Sequence, residues 1–131
     1  MTLQRKALGT EGEEIAVRYL KRRGYRILER NYRIRLGEID IIAEQGTDLV
    51  FVEVKTRADA QFGSPFESVT LPKQRQLAKV ALEYLSRKNW HNRPARFDVV
   101  GVRVTTPDAL RPGDASIELV QNAFDLSFDD K

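Results

Sequence analysis

The sequence predicts an α/β domain with the element order α-β-β-β-α-β-β, and three patterns carry that reading. Apolar residues recur at helical spacing in two separate stretches. Between them, two stretches of alternating character flank a Gly-Thr pair, and a β-branched run follows the second helical stretch. A length of 131 residues suits one domain, which can bury a core without disulfides or a structural metal. We expect that domain to span residues 1–124, with an acidic tail at 125–131 that is a candidate for disorder.

In chain order, Gly12 to Arg23 reads as an amphipathic helix because Ile15, Ala16, Tyr19 and Leu20 share one face, and Gly24 ends it. Tyr25 to Arg35 alternates unevenly and reads as an irregular first strand. Gly37 to Glu44 and Asp48 to Lys55 are the clearer strands. The second puts Leu49, Phe51, Glu53 and Lys55 on one side and Val50, Val52 and Val54 on the other. Gly46-Thr47 between them fits a two-residue hairpin turn with glycine first. Residues 57–71 read as a surface loop. Pro72 to Lys88 is a second helix with a stripe of Leu77, Val80, Ala81, Tyr84 and Leu85, Phe97 to Val104 a buried strand, and Ser116 to Val120 a last edge strand.

Composition excludes several chemistries. There is no cysteine and one histidine, His91, so thiol nucleophiles, zinc-finger spacings and histidine-rich sites are ruled out and any metal must sit on oxygen ligands. No apolar run approaches the roughly 20 residues of a membrane span, and the first residues lack a signal-peptide pattern. A cytoplasmic protein with no membrane partner is expected. Charge is uneven: residues 1–35 carry ten Lys or Arg against four acids, whereas 105–131 carry two against six. A basic face of that kind suits a polyanion.

The hairpin concentrates the chemistry. With a two-residue turn at Gly46-Thr47, Asp40 faces Glu53 and Glu38 faces Lys55, with opposed Cβ atoms about 5 Å apart. Two carboxylates at about 5 Å repel by roughly 3 kcal/mol at an effective dielectric of 20. Lys55 offsets part of that, and a hard divalent cation such as Mg²⁺, which prefers carboxylate oxygens, would offset the rest. The surrounding Ile39, Ile41, Ile42, Val50, Phe51, Val52 and Val54 are core residue types, a setting in which charged groups are usually functional. Asp98, inside another apolar strand, reads as a buried structural carboxylate satisfied by Arg96 or a backbone amide, and Tyr32 as core.

Gly37-Glu38-Ile39-Asp40 followed by Phe51-Val52-Glu53-Val54-Lys55-Thr56-Arg57 resembles the catalytic motif of the PD-(D/E)xK nuclease superfamily, with Ile39 where the motif has Pro. Within it, Gly9-Thr-Glu-Gly-Glu-Glu, Arg30-Asn31-Tyr32, Phe62-Gly63, Lys73 and Arg96-Phe97-Asp98-Val99-Val100 resemble the YraN-like family of small bacterial proteins, described as endonucleases on sequence grounds and related to archaeal Holliday-junction resolvases. The resemblance implies a restriction-endonuclease-like fold, a mixed central sheet flanked by helices. It also implies hydrolysis of phosphodiester bonds with Mg²⁺ or Mn²⁺, on DNA and conceivably on branched or repair intermediates, with a homodimer by analogy with resolvases.

Carried onto this chain, the resemblance makes Asp40, Glu53, Lys55 and Glu13 the catalytic set. Asp40, Glu53, Glu13 and the carbonyl of Val54 are the metal ligands, and Glu14 is the alternative to Glu13. Glu38 is open between a ligand, a partner for Lys55 and a turn residue. Arg57, Lys73, Arg33 and Arg35 are candidate nucleic-acid contacts. Two rival classes remain: a non-catalytic nucleic-acid-binding module on a nuclease fold, and a protein-binding scaffold using the second helix.

Overall fold

The computed structural model describes residues 3–57, 69–104 and 115–124, so expectations for the 57–71 loop beyond its ends and for the 125–131 tail lie outside the described residues. The element order is α1 (Leu3–Arg22), β1 (Arg26–Ile34), β2 (Gly37–Gln45), β3 (Asp48–Arg57), α2 (Leu71–Lys88), β4 (Ala95–Val104) and β5 (Ala115–Phe124), the order expected. The strands form one mixed sheet in sequential order β1-β2-β3-β4-β5. β3 and β4 are parallel, joined through α2 as parallel neighbours require, and the other pairs are antiparallel.

One helix covers each face. Ile15, Ala16, Val17 and Leu20 of α1 pack on Ile41, Ala43, Val50, Val52, Val100 and Val102. Leu77, Val80, Ala81, Tyr84 and Leu85 of α2 pack on Ile42, Leu49, Phe51, Phe97 and Val99. Strands covered on both sides read as continuous apolar runs, as β3 and β4 do. Phe97 stacks on Phe124 with ring centroids 4.4 Å apart, and Phe51 lies 5.4 Å from Phe97 and 6.0 Å from Tyr84.

Element ends follow local chemistry. Gly24, at φ +89°, closes α1, and the Tyr25 amide donates back to the Leu20 carbonyl at 2.9 Å. Thr70 caps α2, its hydroxyl accepting from the Lys73 amide, with Pro72 in the first turn, and Asn89 ends the helix in the left-handed region. Gly46 turns β2 into β3 at φ +60°, and the register it sets is the one read from the sequence, Gln45 opposite Asp48 through Ile41 opposite Val52.

Several elements are longer than their patterns suggest. α1 begins at Leu3, about three turns before the apolar stripe starts at Ile15, in a segment of good helix formers such as Gln4, Arg5, Lys6 and Ala7. β3 runs on to Arg57, where backbone pairing with β4 continues after pairing with β2 has stopped. β4 starts at Ala95 and β5 spans Ala115–Phe124, both set by ladder bonds to neighbours far away in the sequence.

The end of the sheet next to the Gly46 turn is closed by a charge network. Asp98 is fully buried. It accepts from Arg96 at 3.0 Å, the Tyr25 hydroxyl at 2.6 Å and the Asn122 amide at 2.9 Å, and Arg96 also pairs with Asp48. Asp98 is thus the structural carboxylate expected, satisfied by both kinds of partner. Removing one member of such a network strands the other charge. Asp98→Ala should lower the unfolding free energy in a urea titration by about 3–5 kcal/mol, and a loss below about 1 kcal/mol would mean the network contributes little to folding.

Candidate active site

The opposite end of the sheet is built differently. β2 and β3 pair as far as Ile41 and Val52 and then part, and the Val54 amide, instead of bonding to a β2 carbonyl, donates to Asp40 Oδ2 at 2.8 Å. The pleat changes at the same level. Strict alternation would keep Ile39 and Ile41 on one face, yet Ile39 packs in the α2-side core and Ile41 in the α1-side core. Opposite this irregularity on β1, Asn31 is left-handed at φ +53°, between the paired residues Arg30–Ile41 and Tyr32–Ile39. Asp40 therefore sits in a gap between strands, reachable from both faces.

Glu53 enters that gap from β3 and is only 6% exposed. The Asp40 and Glu53 carboxyls lie close enough for each to shift the titration of the other. Burial first, then the neighbouring Asp40, push the Glu53 carboxyl up to about 8. Asp40 is raised as well, mainly by burial, with the Val54 amide acting against it. Two cations face the pair, Lys55 Nζ at 3.6 Å and Lys73 Nζ at 4.0 Å from Glu53 Oε2, too far for hydrogen bonds. Both carboxyls are thus disfavoured in the charged form, a cost that a stronger cation in the gap would relieve.

Glu13 approaches from the α1 side. Its carboxyl is raised by burial and then by Asp40, which places it beside the pair. Glu14, its alternative, points to Arg30, 2.7 Å away, which holds its carboxyl low. Glycine at position 12 permits this approach, because a Cβ there would lie 2.0 Å from Thr56 Oγ1 and 2.9 Å from Thr56 Cβ. Asn31, with its amide nitrogen turned to the acids, donates to Glu13 Oε1 at 3.2 Å and Glu38 Oε2 at 3.1 Å. Neither Asn31 nor Gly12 stands out by hydrophobic pattern. An Asn inside a strand, a residue tolerant of positive φ, and a Gly inside a helix were the available signals.

Not every candidate joins this cluster. Glu38 does not face Lys55 across the hairpin, because the ladder has opened by then. It pairs on the other side with Arg33, at 2.6 Å, so Arg33 is engaged by a carboxylate. Arg35 lies exposed in the turn between β1 and β2, and Arg57 ends β3. Tyr32 is core, its hydroxyl accepting from Arg87 at 2.9 Å. His91 is exposed after α2. The Val54 carbonyl faces the gap, since N–H and C=O of one strand residue project to the same edge and the N–H reaches Asp40. Among the described residues no group of three or more acidic or histidine side chains is close enough together to hold a metal, so a cation here would rest on Asp40, Glu53, that carbonyl and solvent or substrate oxygens. Such a donor set suits Mg²⁺, which takes one or two carboxylates and keeps the remaining positions open.

The model of the uncharacterised protein family UPF0102 matches residues 12–102, from Gly12 in α1 to Val102 near the end of β4. The chain belongs to that family. A UPF0102 protein of Geobacter sulfurreducens is 50% identical over 123 residues, covering 94% of this chain and 92% of its own. Another from Caldicellulosiruptor saccharolyticus is 46% identical over 122 residues, covering 93% and 100%. Among solved structures, Pyrococcus furiosus SfsA in complex with Ca²⁺ aligns with a TM-score of 0.36 and 14% identity, over 91% of this chain and 62% of that one, a likeness too low to bear on this chain. No helix among the described residues is long and apolar enough to cross a membrane.

The raised Glu53 carboxyl gives this UPF0102 site a pH signature. A carboxyl raised to about 8 in the folded chain binds a proton there that the unfolded chain has lost above about 4.5. Its favourable contribution is complete below the unfolded value and disappears as pH rises through the folded one. In EDTA, wild-type stability should therefore fall by about 4 kcal/mol more than that of Glu53→Gln between about pH 5 and 8.5. Parallel stability curves for the two proteins in urea titrations would show that the pair carries no such proton.

Proposed function

We propose that the chain is a cytoplasmic nuclease dependent on Mg²⁺ or Mn²⁺ that hydrolyses phosphodiester bonds of nucleic acid, most plausibly DNA. One observation supports this above the rest: two neighbouring carboxyls, Asp40 and the buried Glu53, sit where β2 and β3 part, facing two lysines that stay beyond hydrogen-bond range. A purely structural pair would be expected to have a close cationic partner, as Asp98 has in Arg96.

On this reading Asp40, Glu53 and the Val54 carbonyl hold the ion, with Glu13 close by on α1. When bound, the ion supplies a Lewis acid for the phosphoryl oxygen and lowers the pKa of water. Lys55, on the strand that carries Glu53, bears on the charge that grows on the phosphate oxygens. Lys73 adds a second positive charge from the first turn of α2. Asn31 bridges Glu13 and Glu38 through its amide nitrogen and orients both, and the Val54 amide orients Asp40. The non-catalytic binding module is less well supported, because bare carboxylates facing a phosphate backbone would repel it.

The test uses labelled branched, duplex and single-stranded DNA and RNA with Mg²⁺, Mn²⁺ or EDTA. Wild type should cut at least one substrate. EDTA should abolish cutting, and Asp40→Asn and Lys55→Ala should each lower the rate by at least about 100-fold. Mg²⁺ should also raise the melting temperature of wild type and leave that of Asp40→Asn unchanged. Nucleic-acid binding of equal affinity in metal and EDTA, without cleavage, would replace the nuclease with a binding module.

A further inference from the structure

The structure sorts the bases that crowd the first 35 residues. Arg30 is held by Glu14 and Arg33 by Glu38, and the Arg26 guanidinium lies 3.7 Å from Glu44. Arg18, Lys21 and Arg22 of α1 are exposed and, among the described residues, have no ion-pair partner. Counted from Glu14 they stand at i+4, i+7 and i+8, so all four side chains share one face of the helix. Glu14 is taken by Arg30 at 2.7 Å, and Arg18 and Lys21 act on its carboxyl only after Arg30 does. The other acid on that face, Glu11, lies two turns before Arg18. Folding explains part of this charge: Lys21 and Arg22 stand in the last turn, where bases suit the helix dipole. Arg18 stands earlier and sets like charges against each other at i+3 and i+4, which opposes the helix.

We propose that this face of α1 seats the backbone of a double-stranded arm of nucleic acid, beside the phosphate that the Asp40–Glu53 gap would receive. The inference rests on the nuclease reading and deepens it by naming the form of the substrate next to the cut and its direction, along α1 away from Glu13. Three arguments support it. The face and the gap share a frame: Glu14 follows Glu13 on α1 and holds Arg30, and Asn31, next to Arg30, donates to Glu13. From Glu13 to Arg22 the helix advances roughly 14 Å, room for about four phosphates of one strand at 3.4 Å of duplex axis each. The face also offers charge without a stacking surface. The Arg23 guanidinium lies 5.3 Å from the centre of the Tyr19 ring and covers it, whereas single strands are held largely by bases stacked on open aromatic rings. Backbone contacts alone suit a duplex, whose bases are already stacked, and they position it without reading its sequence. An anionic membrane is served less well, because helices that lie on membranes insert an apolar face, and that of α1 is spent on the sheet.

The experiment measures binding of a fluorescent DNA duplex and of a single strand of equal length by anisotropy in EDTA across a salt series, with cleavage in Mg²⁺ measured in parallel. The duplex should bind more tightly than the single strand. Replacing Arg18, Lys21 and Arg22 together by Gln should weaken duplex binding at least about tenfold at low salt, equally for unrelated sequences. The slope of log affinity against log salt should become shallower by about 0.9 for each base removed. The same variant should melt no lower than wild type, since it loses like-charge repulsion within α1. Arg18→Lys combined with Arg22→Lys should keep the wild-type slope, and Lys79→Gln, an exposed loss of charge on α2, should bind as wild type does. A wild-type affinity and slope in the triple variant would overturn the seat, while cleavage lost only in Asp40→Asn would keep the nuclease reading. The altered slope without cleavage by wild type on any substrate would keep the seat and overturn the nuclease reading. Single strand bound as tightly as duplex would overturn the double-stranded arm. Displacement of the duplex by phosphatidylglycerol vesicles as readily as by unlabelled duplex would overturn nucleic acid as the occupant, and no binding by wild type at low salt would overturn both readings.

Discussion

The bond from the Val54 amide to the Asp40 carboxylate governs how one whole end of this molecule is built. A backbone N–H inside a sheet must find an acceptor, and the ordinary acceptor would be a carbonyl of β2. Because a side chain takes that place, β2 is released from β3 without leaving an orphaned donor. The released strand turns Ile39 into the opposite core from Ile41, and Asn31 absorbs the matching change on β1 at positive φ. The gap, the inward aim of Asp40 and the exposure of the Val54 carbonyl follow from one substitution of acceptor.

Buried acid is treated in opposite ways at the two ends of the sheet. Asp98 is enclosed by a guanidinium, a hydroxyl and an amide, all at hydrogen-bond distance, and a charge so surrounded has nothing further to bind. Asp40 and Glu53 are enclosed by each other, with both lysines beyond hydrogen-bond range. Residue type and apolar surroundings are alike in the two cases. The difference lies in whether the fold supplies the countercharge, and this makes the β2–β3 opening the place to look for chemistry.

That difference also marks how far sequence reasoning reached. The two helices, the hairpin and its register were readable because each depends on local patterns: a 3.6-residue stripe, period-two alternation and a glycine at the turn. Carried one pair beyond the last ladder pair, Ile41–Val52, that register still puts Asp40 near Glu53, although the ladder itself has ended there. The pairing of Glu38 was misread because the same register was extended past Ile41, where no local pattern announces that the strands separate. Asn31 and Gly12 were missed for a related reason. Their roles depend on what another element brings within reach, Glu13 and Glu38 for Asn31 and Thr56 for Gly12. The left-handed turn of Asn31 is a local event, but its purpose is tertiary.

A carboxyl pair that repels by roughly 3 kcal/mol when both members are ionised is tolerable only on a frame with stability to spare. The frame here is the doubly covered centre of the sheet, where Phe51, Phe97, Tyr84 and Phe124 interlock directly beneath α2. Burying one such ring contributes about 2–3 kcal/mol, so the rings offset the pair with a margin. The helices also hold the gap in shape from both sides. α1 presses its Gly12 against Thr56, and α2 fixes the β1–β2 turn through the Gln76 side chain, which donates to the Leu36 carbonyl at 2.8 Å. Free to relax, the two carboxyls would swing apart towards solvent and lose their demand for a cation. Held between two helices, they keep it, and a cation entering the gap would meet two carboxyls already brought together.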